Sequence, residues 1–211
     1  VTGWILLINI SVFLLQIFWD NDARQMTMKG ALSLDGIRAG KWWQLLTYQA
    51  LHGGFLYVNW KFLLVGVVHL SFNCVAIYVM GRVLEPGIGK FGLARVYLVS
   101  GVVGGLLHVF VAWVWPDHFN RGVVGASAGA CGLVAMFATL FPQEKLKVLL
   151  FLVYPATMKA DTLLWLMLII SVFGLSDVFQ DGIAHAAHLG GMVAGIYFAK
   201  RWQRKMVPPN G

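Results

Sequence analysis

Four polar side chains stand in otherwise apolar stretches of this sequence, and they are of the types that carry out acyl transfer. Ser127 lies in RGVVGASAGACGLVAMFATLF, and His188 lies in AHAAHLGGMVAG with His185 three residues before it. His69 and Asn73, in HLSFN, are four apart and so share a helix face. A serine hydroxyl is a poor nucleophile at neutral pH until a base within hydrogen-bond reach takes its proton, and an imidazole is the usual base. Ser127 and His188 are therefore the candidate pair. Acyl transfer also needs donors aimed at the developing oxyanion. The Asn73 carboxamide, the His69 ring and the Ser127 backbone N–H are the candidates, helped by the positive end of a helix.

These residues must be positioned by elements that live in hydrocarbon. Of the 211 residues, 59% are hydrophobic and only 12% charged, beyond what a soluble domain tolerates. The apolar stretches are each close to the roughly 20 residues that a helix needs to span a bilayer. Six spans are predicted, at 4–19, 62–80, 95–115, 123–141, 162–179 and 184–199. The period-2 alternation of an outer-membrane barrel is missing, so strands are set aside and the expectation is one all-α membrane domain over 1–211. The run KVLLFLVYPA, 147–156, is too short to cross and is expected to lie in the interface or to start the fifth span. The first span lacks an n-region and a small-residue cleavage site, and is read as remaining in the membrane. The Lys/Arg bias puts both ends of the helical set in the cytoplasm, with ten of the 16 cations on that side, as in a bacterial inner membrane. The formal charge of +7 then points to anionic lipid at the inner face and not to nucleic acid.

A charged or polar group in hydrocarbon is costly and faces the protein interior or a wet cavity. By the topology above, Ser127, His188, His69 and Asn73 all fall near the outer ends of their helices, open to water from one side. Gly125, Gly129 and Gly132 surround Ser127, and Gly190, Gly191 and Gly195 follow His188, so both helices carry small-residue faces that permit close approach. The segment 20–61, with Trp42, Trp43, Tyr48, Tyr57 and Trp60 among polar groups, is expected on the outer leaflet. Cys74 and Cys131 fall within spans and are expected to be free thiols that pack as small hydrophobes. His108 is expected to pack or snorkel within its span, and His118 and Arg121 to be solvated.

At these residues the sequence resembles the rhomboid intramembrane serine proteases, over about 41–199. GASAG, with Gly125, Ser127 and Gly129, is similar to the family's nucleophile motif, HLSFN to its H-x-x-x-N, AHLGG to its A-H-x-x-G, and GRVLEPGIG to the loop after the second span. The resemblance implies a six-helix rhomboid bundle with an interfacial first loop. Ser127 would attack, His188 would act as base, and His69, Asn73 and the Ser127 N–H would hold the oxyanion, with Gly125 and His52 in supporting places; His185, from its position beside His188, is expected as a polar neighbour lining the cavity or its mouth and not as a second base. It further implies membrane-anchored protein substrates that enter between the second and fifth helices, and no cofactor. Three positions depart from the pattern. Gln44 follows the tryptophans where an arginine is usual, which weakens any loop-anchoring ion pair without bearing on catalysis. Cys131 stands where many members place an aromatic ring against the histidine. His52 precedes His69 by 17 residues instead of about five, as though about 12 residues were inserted within 55–68, expected as a looped interfacial piece because Asn59 and Lys61 interrupt its apolar run.

Other chemistries fit the residues less well. H-E-x-x-H does not occur, and His185 with His188 would need further ligands to hold a metal. The acids nearest the spans, Glu85, Asp161 and Asp177, fall at ends, which excludes a paired-carboxylate protease. No internal symmetry of the transporter kind is seen. The remaining alternative is a catalytically inactive rhomboid-like factor that binds or traffics membrane proteins, against which the intact serine and histidine stand.

Overall fold

The protein is described here from a computed structural model covering residues 1–18, 23–53, 60–119, 121–150, 154–176 and 184–206. It is mostly helical: α1 (Thr2–Phe18), α2 (Ala23–Gly30), α3 (Leu34–Arg38), α4 (Gln44–Thr47), a 3-10 turn (Tyr48–Ala50), α5 (Trp60–Val114), α6 (Pro116–Phe119), α7 (Ser127–Leu140), α8 (Ala160–Phe173) and α9 (His185–Met206). Among these, the stretch Leu64–Val114 is long and apolar enough to cross a membrane by length and composition, while α1, α7 and α8 are shorter apolar helices.

The second and third predicted spans are the two arms of α5. No open loop separates them. The helix runs through Pro86 and is broken only at Gly89, whose φ of 76° and ψ of 165° no other residue type adopts cheaply. Both His69 of the first arm and Gly104 of the second lie against the segments around Ser127. The arms therefore double back at Gly89. The motif around the bend ties α1 in place: the Glu85 carboxylate accepts from the Thr2 N–H at 2.9 Å and from its hydroxyl at 2.7 Å, and Gly81 leaves room for the Thr2 side chain.

At its other end α5 begins at Trp60, so 60–68 lengthens the second helix outward. This corrects the looped piece expected for 55–68; residues 54–59 of that insertion lie outside the described residues. Apolar runs of this length satisfy every backbone group within the segment, which outweighs one interrupting lysine.

α7 is the central helix. Every residue from Ala128 to Ala138 is buried, as expected of a helix apolar on all sides. It touches α9 at glycine spacing: a Cβ on Gly191 would fall 2.1 Å from the Ala128 carbonyl oxygen, and one on Gly195 would fall 2.1 Å from that of Gly132. Side chains larger than hydrogen would hold these backbones apart. A cluster that includes Ile77, Leu84, Leu93, Leu133 and Phe137 runs along α7, from Ala126 beside Ser127 to Ala138. Large apolar residues such as Trp4, Trp113, Trp165 and Phe173 are exposed around the outside, where lipid would cover them.

Strands do occur, contrary to expectation. Lys145–Leu150 and Tyr154–Lys159 form an antiparallel hairpin, β1 and β2, between α7 and α8. It takes the place of the interfacial or helical run predicted at 147–156. The physical reason is legible afterwards: KLKV and ATMK alternate with period 2, a pattern hidden by the continuous apolar run between them.

Candidate active site

Ser127 opens α7, four residues after the start predicted for its span at 123. The segment before it is held extended by the first loop. Val123 and Leu32 exchange backbone hydrogen bonds at 2.8 and 3.0 Å, and the Gly125 N–H donates to the Tyr48 carbonyl at 2.8 Å. Gly125 has φ of 129°, in the region that favours glycine, and turns the chain into the helix. The first-turn N–H groups, that of Ser127 among them, have no acceptor within the helix.

The first loop is itself clamped. Tyr48 is buried and its hydroxyl donates to the Gly101 carbonyl of α5 at 2.6 Å. Gln16 of α1, fully buried, accepts from the His52 N–H at 3.0 Å, and its amide donates to the His52 carbonyl at 3.2 Å and to Thr27 Oγ1 at 2.9 Å. Gln44 anchors the loop without an ion pair: its carboxamide accepts from the Ser33 N–H and donates to the Lys29 carbonyl, both at 3.3 Å, against Gly36. Trp42, Trp43 and Leu46 face outward and stay exposed. Sequence reading passed over Gln16 and Leu32. A carboxamide in the apolar run of α1 was the available signal for Gln16.

His188, in the first turn of α9, meets Ser127: its Nε2 is 2.8 Å from the hydroxyl oxygen. The close glycine contact between α7 and α9 is what permits that distance. A hydroxyl so placed can pass its proton to the ring. On the other side stands His69. The point that a Cβ on Gly125 would occupy is 2.7 Å from His69 Nε2 and 3.6 Å from Ser127 Oγ, so glycine there lets imidazole and hydroxyl approach one locus. Asn73, one turn further along the first arm of α5, is 5% exposed, and its Nδ2 has no hydrogen-bond partner among the described residues.

The supporting residues sort clearly. His185 is buried against Gly174 at the end of α8, and its ring is edge-on to His188 at 6.3 Å. Cys131 packs with Ala135 and Met192, so the ring beside His188 comes from His185 and not from position 131. His52 is fully buried, edge-on to His69 at 5.1 Å, and its Nδ1 faces the Ala50 carbonyl at 3.3 Å. It lies in the first loop, outside the membrane-spanning segments. Burial, and next the neighbouring His69, push it down to about 3, so it is neutral at physiological pH. His108 is buried with its Nε2 at 3.3 Å from the Arg121 carbonyl oxygen, and the Arg121 side chain is exposed. Both cysteines are free.

Fold and site together define a helical membrane domain with a serine–histidine pair where three of its helical segments meet. Comparison with known proteins narrows the class. The rhomboid family model, described as Rhomboid domain, matches residues 39–202, and the chain belongs to the rhomboid family, a family of integral membrane proteins that includes intramembrane proteases. Rhomboid protease AarA of Providencia stuartii is 25% identical over 205 residues, which cover 90% of this chain and 68% of that protein. RHOMBOID-like protein 5 of Arabidopsis thaliana is 31% identical over 169 residues, covering 80% and 46% respectively. Rhomboid protease GluP of Bacillus subtilis is 25% identical over 173 residues, covering 81% and 28%. The chain thus spans only part of each of these relatives.

Proposed function

We propose that the chain is an intramembrane serine endopeptidase that cleaves membrane-anchored proteins within or next to their transmembrane segments. The observation that carries this reading is the 2.8 Å approach of Ser127 Oγ to His188 Nε2, beside the contact of His69 with Gly125. Ser127 Oγ attacks the scissile carbonyl carbon as His188 Nε2 takes its proton. The oxyanion is held by the Ser127 N–H, His69 and Asn73, whose buried amide has no partner among the described residues, which supports that role. The tetrahedral intermediate collapses, the proton passes from His188 to the leaving amine, and an acyl ester remains on Ser127. Water entering from the outer side gives its proton to His188 and hydrolyses the ester, after which the proton returns to Ser127. The edge-on ring of His185 is placed to help orient the imidazole of His188.

Substrate enters between the first arm of α5 and α8. It must unwind, because a helical peptide bond is shielded and already hydrogen-bonded. Six crossings, by α1, both arms of α5, α7, α8 and α9 in one domain over 1–211, belong to the same proposal. α7 need not reach both surfaces, since protein surrounds it. The cationic end of α9 supports a cytoplasmic placement of the end remote from Ser127, in a bacterial inner membrane.

The test is labelling of the detergent-purified chain with a fluorophosphonate. Wild type labels and Ser127→Ala does not. Labelling that persists in Ser127→Ala would assign the chemistry to another serine, and a folded wild type that neither labels nor cuts a panel of tagged single-pass proteins would favour the inactive, binding alternative.

A further inference from the structure

The β1–β2 hairpin is an element that the proposed chemistry does not use. It springs from α7 at the end opposite Ser127, thirteen residues and about 20 Å along the helix, and runs directly into α8. Its pairing, Lys145 with Lys159, Leu146 with Met158, Lys147 with Thr157 and Val148 with Ala156, sorts its side chains by face. One face carries Lys145, Lys147, Thr157 and Lys159, all exposed, followed by the Leu149–Pro155 pair, of which Pro155 is exposed as well. The other carries Leu146, Val148, Ala156 and Met158, all half-buried, with Leu146 seated on the bundle core. Tyr154 shares the apolar face further out, and at 69% exposure nothing among the described residues covers it.

An isolated two-stranded hairpin is marginal in water and needs a surface against its apolar side. Among the described residues, the core seats Leu146 at the root of that side and leaves Tyr154 further out exposed. The charge around it is one-sided: Lys200, Arg201, Arg204 and Lys205 of α9 are exposed at the same end, where Gln203 Nε2 donates to the Thr139 carbonyl at 3.4 Å. Glu144 and Asp161 are the acids at the hairpin's foot.

We propose that the hairpin is a lipid-binding arm that lies in the membrane interface, its apolar face and Tyr154 on the acyl boundary and its three lysines on the phosphates of anionic phospholipids. Tyrosine suits that depth because its ring is apolar and its hydroxyl reaches water. Lysines can rise from the same ribbon to the headgroups on their flexible stems. This inference needs the membrane but not the chemistry of Ser127, so it stands or falls separately from the proposed protease activity.

The experiment is hydrogen exchange of the full chain in nanodiscs of phosphatidylcholine alone and of phosphatidylcholine with phosphatidylglycerol. Each lysine near an anionic surface contributes ~1 kcal/mol, or about fivefold in an equilibrium. Hairpin amides should therefore exchange at least tenfold more slowly in the anionic discs, while amides of α7 stay unchanged as a folding control. The triple variant K145Q/K147Q/K159Q should lose the difference and K145R/K147R/K159R should keep it. Equal hairpin exchange of wild type in the two lipids overturns the proposal; so does a difference that survives in the glutamine variant. Strong protection in phosphatidylcholine alone also overturns it, because it would mean that the ribbon is covered by protein, another copy included. Wild type and the arginine variant decide the matter even if the glutamine variant does not fold.

Discussion

Replacing Gly191 by alanine puts a methyl group 2.1 Å from the Ala128 carbonyl oxygen, a backbone atom one residue past Ser127. Real Cβ contacts are essentially never under 3.0 Å, so about 0.9 Å of separation between α7 and α9 has to open. Neither backbone can give way locally, since both are helical and α7 is buried on all sides. Added to the 2.8 Å between Ser127 Oγ and His188 Nε2, that opening stretches the pair to about 3.7 Å, past hydrogen-bond range. Misplacement by about 1 Å costs on the order of a hundredfold in rate when geometry carries the step. The assay is the second-order rate of fluorophosphonate labelling, with thermal unfolding in the same detergent as control and Gly3→Ala, which meets nothing within 4 Å, as the reference substitution. Gly191→Ala should fold with a lower melting temperature and label at least a hundredfold more slowly. If it labels at the wild-type rate, the close glycine contact does not set the Ser127–His188 distance and the argument fails.

Three further expectations follow from the same geometry. Asn73→Ala should lower kcat by roughly a hundred- to a thousandfold, ~2.7–4 kcal/mol, with little change in stability, because its buried amide has no other partner among the described residues; an unchanged kcat would return Asn73 to packing. Gln16→Ala strips the Gln16 partner from the buried His52 N–H and carbonyl, at ~1–3 kcal/mol for each orphaned group, so the variant should unfold several degrees earlier and show faster exchange at residues 48–52; a melting temperature equal to wild type would count against the clamp. His52 is held at about 3 when folded and returns to about 6.5 when unfolded, so between those values the unfolded chain takes up a proton that the native state refuses. Its contribution to stability is complete above about pH 6.5 and is lost as pH falls toward 3, at up to ~1.4 kcal/mol per pH unit. The acid limb of melting temperature against pH should therefore flatten in His52→Phe, and an unaltered slope would show that other groups carry it.

Much of the site could be read from residue types alone. Polar side chains that sit in hydrocarbon-length apolar runs must face one another or water, and that rule picks out Ser127, His188, His69 and Asn73 without coordinates. The same rule applied to α1 would have found Gln16. It was less informative for the ribbon at 145–159, because a run of apolar residues long enough to hide its alternation reads equally as interface, helix or strand. The bend at Gly89 was also hidden. Glycine permits a positive φ but does not require one, and only the return of the second arm onto α7 and α9 makes the bend necessary.

What the sequence by itself determined is the solvent this chain lives in, the helices it forms there and the short list of groups able to do chemistry, since each of these follows from local composition and the cost of burying polar atoms. What only the tertiary structure decided is distance. Ser127 and His188 are 61 residues apart, and their 2.8 Å approach depends on glycines whose carbonyl neighbours belong to another helix, on a loop that holds Gly125 by its backbone, and on Gln16 fastening that loop from α1. Contacts of that range cost chain entropy to form and leave no mark on local composition, so they come into view only when the packed elements are seen together.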